Sequence, residues 1–68
     1  MNYEMAWDEL AESVVRKDAA KAAEKAKELL EWLRGGGNPP CITEHEDFDV
    51  YVVGVVCARI LEESQVMP

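Results

Sequence analysis

The sequence predicts an all-α, three-helix domain: an antiparallel helical hairpin with a third helix packed across it. Apolar residues recur at helical spacing in three segments, each segment follows a residue that can cap a helix, and only one segment would suit a β-strand. The 68 residues are expected to form a single domain, 1–68. A domain of this length buries only about 60% of the surface its unfolded chain exposes, and a partner subunit is one common source of further stability.

The first helix is predicted over about 3–16. Asn2 is a suitable N-cap, and Glu4 falls in the first turn, where the helix dipole favours an acid. Apolar side chains recur every three or four residues along one face: Tyr3, Trp7, Leu10 and Val14. Acidic and basic residues cover the opposite face, so the helix is expected to pack on one side only.

The second helix is predicted over about 19–34, with Asp18 as its N-cap. Only one or two residues separate it from the first helix, so the two are expected to fold back as a hairpin. One face carries small and aliphatic side chains: Ala19, Ala22, Ala23, Ala26, Leu29, Leu30 and Leu33. Alanine lets another helix approach closely, and Trp7 is expected to pack on this face.

A Gly- and Pro-rich loop over about 35–42 ends the second helix. Gly35 suits the left-handed position just past the last helical residue, and Pro39 and Pro40 prevent the helix from continuing. Trp32 falls outside the apolar stripe of the second helix. It either lies over the two prolines or serves as an exposed anchor for a partner.

The third helix is predicted over about 44–64. Thr43-x-x-Glu46 is a capping box in front of it. The run over 50–57 is rich in β-branched residues and could instead be a strand. A helix is favoured because the capping box precedes this run, because the apolar spacing continues beyond it, and because the chain offers no second strand to pair with it.

The third helix carries two apolar stripes, whereas a surface helix needs only one. The longer stripe is predicted to face the hairpin and consists of Val50, Val53, Cys57, Ile60 and Leu61. The shorter stripe consists of Phe48, Val52, Val55 and Val56. Because the hairpin can cover only one stripe, the shorter one and Trp32 are predicted to form the interface of a homodimer. The alternative is a monomer in which the 36–42 loop and Trp32 fold over this stripe.

The chain is acidic, with a formal net charge of −7. Six of the seven basic residues lie between positions 16 and 34 and alternate with acids, so no basic patch forms and nucleic-acid binding is not expected. The longest apolar run is about nine residues, whereas a membrane span needs about 20. With no signal-peptide pattern at its N-terminus, the protein is expected to be cytoplasmic, with Cys41 and Cys57 as free thiols and no membrane partner.

Side chains that could carry chemistry cluster in one segment: Cys41, Glu44, His45, Glu46, Asp47 and Asp49. His45 lacks a second His or Cys at helical spacing, so no metal or other cofactor is predicted. Nothing places Ser13 or Ser64 beside a histidine, and a Cys41–His45 pair at this spacing occurs often by chance, so the protein is predicted not to be an enzyme. The predicted function is a non-enzymatic protein–protein interaction module that binds itself or another protein. The alternatives are a small thiol- or metal-dependent protein using Cys41 and His45, and an acidic inhibitor or antitoxin-like protein that binds a basic partner.

The first two helices resemble a tetratricopeptide hairpin over residues 3–40. The matching residues are Trp7-x-x-Leu10-Ala11-x-x-Val14, then Ala22 and Ala26, with a proline after the second helix. The resemblance implies paired antiparallel helices. The chain holds one such unit rather than three, so the concave peptide groove of that family is not implied. The phrase over 31–40, EWLRGGGNPP, is similar to the tail of some short bacterial proteins of unassigned function, which implies no activity.

Overall fold

The computed structural model of the chain describes residues 2–65, which form three α-helices. They are α1 (Tyr3–Val15), α2 (Ala19–Arg34) and α3 (Glu46–Gln65). The predicted all-α, three-helix class is confirmed, and the segment over 50–57 is helix rather than strand. No helix in this part of the chain has both the length and the apolar character that crossing a membrane requires.

The central element is α2, which packs against both α1 and α3. Between residues 2 and 65, no Cα atom of α1 lies within 8 Å of a Cα atom of α3, so each outer helix is held in place through α2. The buried apolar core accordingly draws on all three helices: Ala6, Leu10, Ala22, Ala26, Leu29, Val53 and Cys57. Trp7 is partly buried against this core, as predicted.

An open groove of about 320 Å³ is lined by residues of all three helices, among them Val14 of α1, Ala22 of α2 and Ile60 of α3. Val14, which was predicted on the packed face of α1, is therefore half exposed. The molecule is elongated, measuring 37 × 20 × 19 Å along its principal axes.

The α1–α2 turn is short because one residue, Asp18, serves both helices. Its backbone N–H donates to the carbonyl of Ser13 at 2.8 Å, which closes α1, and its side-chain Oδ1 accepts from the N–H of Lys21 at 3.2 Å, which caps α2. Lys17 reverses the chain between them with φ of 60°. These bonds are those of a Schellman motif followed directly by an N-cap. The predicted caps Asn2 and Asp18 are confirmed, and α1 ends one residue earlier than expected.

The prediction that Gly35 takes the left-handed conformation is wrong, because Gly36 takes it. Gly35 is the C-cap of α2 with φ of −81°, and Gly36 has φ of 88°. Gly36 N–H donates to the carbonyl of Leu33 at 3.1 Å, and Gly37 N–H donates to that of Trp32 at 2.9 Å. This bond pattern requires one residue of near-helical φ between the last helical residue and the left-handed one.

The predicted Thr43–Glu46 capping box is also wrong. Glu44 adopts φ of 72°, which no helix can contain, so α3 begins at Glu46, two residues later than expected. Thr43 Oγ1–H donates instead to Oδ1 of Asp49 at 2.7 Å. The same carboxylate accepts the backbone N–H groups of Thr43 at 2.9 Å and Ile42 at 3.2 Å, so Asp49 holds the loop against α3.

Candidate functional site

The inner face of α3 is rotated relative to the predicted one. Val53 and Cys57 are fully buried, and Ile60 and Leu61 pack against the core, as expected for the longer stripe. Val50, predicted in the same stripe, is 40% exposed, so its assignment to the core is wrong. The inner face instead takes in Val56, which was predicted on the outer stripe and packs against the core, and the buried carboxylate of Asp49.

The outer face of α3 carries an apolar cluster that nothing in the described chain covers. Phe48 is 53% exposed, Tyr51 66% and Val55 50%. The rings of Phe48 and Tyr51 stack with their centroids 6.4 Å apart and an angle of 27° between planes. Val52, partly buried, lies on the same side of the helix. We call these four residues the outer patch.

Tyr51 is the member of the outer patch that the sequence analysis missed. It lies three residues after Phe48 and four before Val55, which places all three on one helical face. The spacing was therefore visible in the sequence. The prediction of the shorter stripe included only fully apolar side chains. Tyrosine has a polar hydroxyl on an otherwise apolar ring, so Tyr51 fell outside it.

The alternative in which the loop and Trp32 cover the shorter stripe does not match the structure. The loop is attached to Asp49, on the buried side of α3, and Pro39 and Pro40 are buried. The exposure of Phe48 and Val55 shows that the stripe stays open to solvent. The outer patch is therefore a free surface of the single chain.

Trp32 has partners within its own chain. Its indole Nε1–H donates to the carbonyl of Asn38 at 2.7 Å, and its ring stacks on Tyr3 of α1 with centroids 5.9 Å apart. A Cβ atom on Gly37 would overlap the indole ring, so the loop backbone lies directly on it. Trp32 and Val56 thus take part in contacts other than those of the outer patch.

The two thiols differ in exposure: Cys41 is exposed, whereas Cys57 is buried, as expected from its place in the longer stripe. Burial raises the pKa of the Cys57 thiol to about 11, which makes it inert at neutral pH. Cys41 borders a shallow pocket of about 240 Å³ together with Asn38, Pro39, Glu44, Glu46 and Asp49. His45 is not among the lining residues. Between residues 2 and 65, no three His, Cys, Asp or Glu side chains are placed to hold a metal ion.

Charge is distributed unevenly along α3. Glu46 and Asp47 are exposed in its first turn. Arg59, four residues after Val55, is exposed and donates from Nε to Oε1 of Glu63 at 2.9 Å. The carboxylate of Glu63 raises the pKa of Arg59. The outer patch thus lies between an end with acids only and an end where one cation, Arg59, stands beside two acids, Glu62 and Glu63.

A second set of charges links α1 to α2 away from this surface. Lys25 Nζ lies 2.9 Å from Oε2 of Glu9 and 3.3 Å from Oε2 of Glu28. The hydrogen bond from Lys25 lowers the pKa of Glu9, and the two carboxylates raise the pKa of Lys25. The lysine is mostly covered and sits between two acids, as expected for a group that supports the hairpin.

Comparison with known proteins identifies no relative: no family model, no curated protein and no solved structure matches the chain. The resemblance of the first two helices to a tetratricopeptide hairpin therefore stays a prediction. The function of the chain has to be argued from its surfaces.

Proposed function

We propose that the protein is a non-enzymatic interaction module that forms a homodimer through the outer patch of α3. The observation that carries this proposal is the exposure of Phe48, Tyr51 and Val55, each at least half open to solvent on one face of one helix. Single exposed apolar residues are common on monomeric proteins, whereas a contiguous apolar cluster is typical of a binding surface.

The composition of the outer patch also supports an interface. It pairs two aromatic rings with two valines, and aromatic side chains are enriched at the centres of protein interfaces. Full burial of such a side chain gains about 1.5–3 kcal/mol, and the half that is still exposed would gain a corresponding share. Association costs translational and rotational freedom, so we expect a dimer that forms at about tens of micromolar.

A second copy of the chain is the simplest partner for this surface. A two-fold axis brings two identical patches together and covers both at once. Within residues 2–65, neither the other two helices nor the loop before α3 covers this face of α3. The same interface would stabilise each subunit by removing apolar surface from water.

Sedimentation equilibrium of the wild type and of Tyr51→Glu/Val55→Glu tests the proposal. Both side chains are at least half exposed, so their replacement leaves the core intact. The control is Met5→Glu/Val15→Glu, which adds the same two charges at exposed apolar positions of α1. We expect a reversible dimer for the wild type and the control, and a monomer with unchanged helix content for the α3 variant.

Two results would contradict the proposal. A wild type that remains monomeric at hundreds of micromolar would end the homodimer hypothesis. A dimer that persists in Tyr51→Glu/Val55→Glu would show that the interface lies on another surface of the molecule.

A further inference from the structure

We infer that the two α3 helices of the homodimer run antiparallel about a two-fold axis between residues 51 and 52, with Arg59 of each copy beside the acidic first turn of the other α3. This inference rests on the proposed homodimer. It adds the orientation of the subunits, their register and a charged contact that specifies both.

The spacing of the outer patch supports this register. Its members occupy positions 48, 51, 52 and 55, which are symmetric about the midpoint between 51 and 52. An antiparallel pair centred there sets Phe48 against the partner's Val55 and Tyr51 against the partner's Val52. Each large aromatic side chain then meets a smaller valine, so the two surfaces can interlock evenly. A parallel pair would instead set Phe48 against Phe48 and Tyr51 against Tyr51.

Charge favours the same orientation. Glu46 and Asp47 lie in the first turn of α3, and Glu44 precedes them, all exposed. A parallel dimer would gather these carboxylates from both copies at one end, within the distance over which charges interact in physiological salt, about 8 Å. An antiparallel dimer separates them and places each acidic turn towards the end of the other α3, where the cation Arg59 partly offsets the acids Glu62 and Glu63, so the repulsion is smaller. It also opposes the two helix dipoles.

In the antiparallel arrangement, Arg59 lies close to the acidic first turn of the partner's α3. At about 1.5 Å per residue, Asp47 lies about 7 Å from the axis along α3, and Arg59 lies about 11 Å from it in the other direction. In an antiparallel pair the two residues of different copies therefore come level to within about 4–5 Å along the helices, a distance that an arginine side chain spans. Its present partner, Glu63, is an exposed neighbour on the same helix. Such pairs contribute little, so the guanidinium is free to contact the partner.

Distances between spin labels on the two copies test the orientation. A nitroxide is attached to Glu62→Cys, and separately to Ala58→Cys, each in a Cys41→Ser background that leaves only the buried Cys57. Both positions are exposed and lie outside the outer patch. An antiparallel dimer predicts backbone separations along the helices of about 31 Å at position 62 and about 20 Å at position 58.

A parallel dimer would give short and nearly equal distances at the two positions, which would overturn the orientation while leaving the homodimer standing. A protein that shows no dipolar coupling at concentrations well above the expected dissociation constant would refute both proposals. The two failures are thus distinguishable.

Charge reversal tests the contact itself. Arg59→Glu is expected to raise the dissociation constant of the dimer about ten-fold, because it sets three acids against the partner's acidic turn. The control Arg34→Glu makes the same change of charge at the end of α2 and is expected to raise it less than about two-fold. Equal effects of the two substitutions would show that only net charge matters, and would remove Arg59 from the interface.

Discussion

Among single residues, Asp49 determines how α3 begins. Its carboxylate is buried and accepts three hydrogen bonds from the two residues Ile42 and Thr43. The bond from the Thr43 hydroxyl is the main reason that the pKa of Asp49 is lowered, and the two backbone N–H groups act in the same direction. The ionised form of Asp49 therefore belongs to the folded state.

This arrangement predicts a loss of stability in acid. The pKa of Asp49 in the folded chain lies below its ordinary value of 3.8, so its contribution is fully present above that value and is lost as the pH falls through the folded pKa. As the pH falls from about 4 towards about 2, the melting temperature of the wild type should fall more steeply than that of Asp49→Asn. Asp47→Asn, an exposed acid two residues away, is the control and should follow the wild type.

Other acids also make the melting temperature fall as the pH is lowered. The pKa of Glu9, for example, is lowered by its hydrogen bond with Lys25. The comparison between variants removes that shared contribution. Equal slopes for the wild type and Asp49→Asn would mean that the three hydrogen bonds do not favour the carboxylate.

The caps at Asn2 and Asp18 could be predicted from sequence, whereas the role of Asp49 could not. A cap bonds to an N–H three residues away, so cap and helix are neighbours in the chain. Asp49 reaches back six and seven residues, to groups whose position depends on the left-handed backbone of Glu44. The sequence pattern predicts a local capping box of Thr43 and Glu46. In the structure, the start of α3 is instead held by bonds from Ile42 and Thr43 to the more distant Asp49.

At the scale of the elements, the end of α2 and the middle of α3 show opposite uses of glycine. Gly37 lies under the indole ring of Trp32, where a Cβ atom would overlap the ring. Gly54 lies within α3, and a Cβ atom there would meet nothing within 4 Å. The first glycine is required by packing, and the second only makes its helix less stable.

We therefore expect Gly37→Ala and Gly54→Ala to change stability in opposite directions. Overlap with Trp32 should cost Gly37→Ala about 1–3 kcal/mol. Alanine is the better helix former, so Gly54→Ala should gain about 1 kcal/mol. Urea denaturation of the two variants and the wild type measures both values. A Gly37→Ala variant as stable as the wild type would show that the indole moves aside at little cost.

Helix boundaries could be predicted where local signals agree. Both ends of α2 were predicted correctly, because Asp18 and the glycines are strong signals adjacent to it. The start of α3 was predicted two residues too early, because a capping box needs helical backbone after its first residue as well as the right side chains. Glu44 has a left-handed backbone instead. The rotation of α3 depends on contacts with α2, so Val50 and Val56 were assigned to the wrong faces.

At the scale of the whole molecule, the helical class followed from helical periodicity, capping residues and the lack of a second strand segment, but the arrangement of the helices did not. Three amphipathic segments in a short chain leave few alternatives to a small helical domain. Which helix lies in the centre depends on how side chains of different size fit together. The alanine-rich face of α2, with Ala22 and Ala26 buried, lets both neighbours approach it.

The outer patch could be anticipated because α3 is apolar on both sides. Its composition differs from the predicted interface, because Tyr51 belongs to it, whereas Val56 and Trp32 make contacts elsewhere. The homodimer itself is an inference from this surface. The orientation inferred for it rests on the spacing of the outer patch and on the order of charges along α3, both of which can be read from the sequence.

The central position of α2 also bears on how the molecule opens. Since α1 and α3 each lie close to α2, while no Cα atom of α1 lies within 8 Å of one of α3 among the described residues, we expect either outer helix to detach while the remaining pair stays packed. The amide hydrogens of α1 and α3 should then exchange with solvent through separate partial openings. Those in the middle of α2, around Ala26 and Leu29, should exchange only when the whole chain unfolds.

Hydrogen exchange followed by NMR at several low concentrations of denaturant would resolve these openings. Uniform protection across all three helices would show a single cooperative unit instead. If the openings are separate, the face of α2 that α3 covers becomes accessible whenever α3 swings away. Two chains could then exchange their third helices, so that each α3 packs on the α2 of the other chain. Such an exchange would give a domain-swapped dimer.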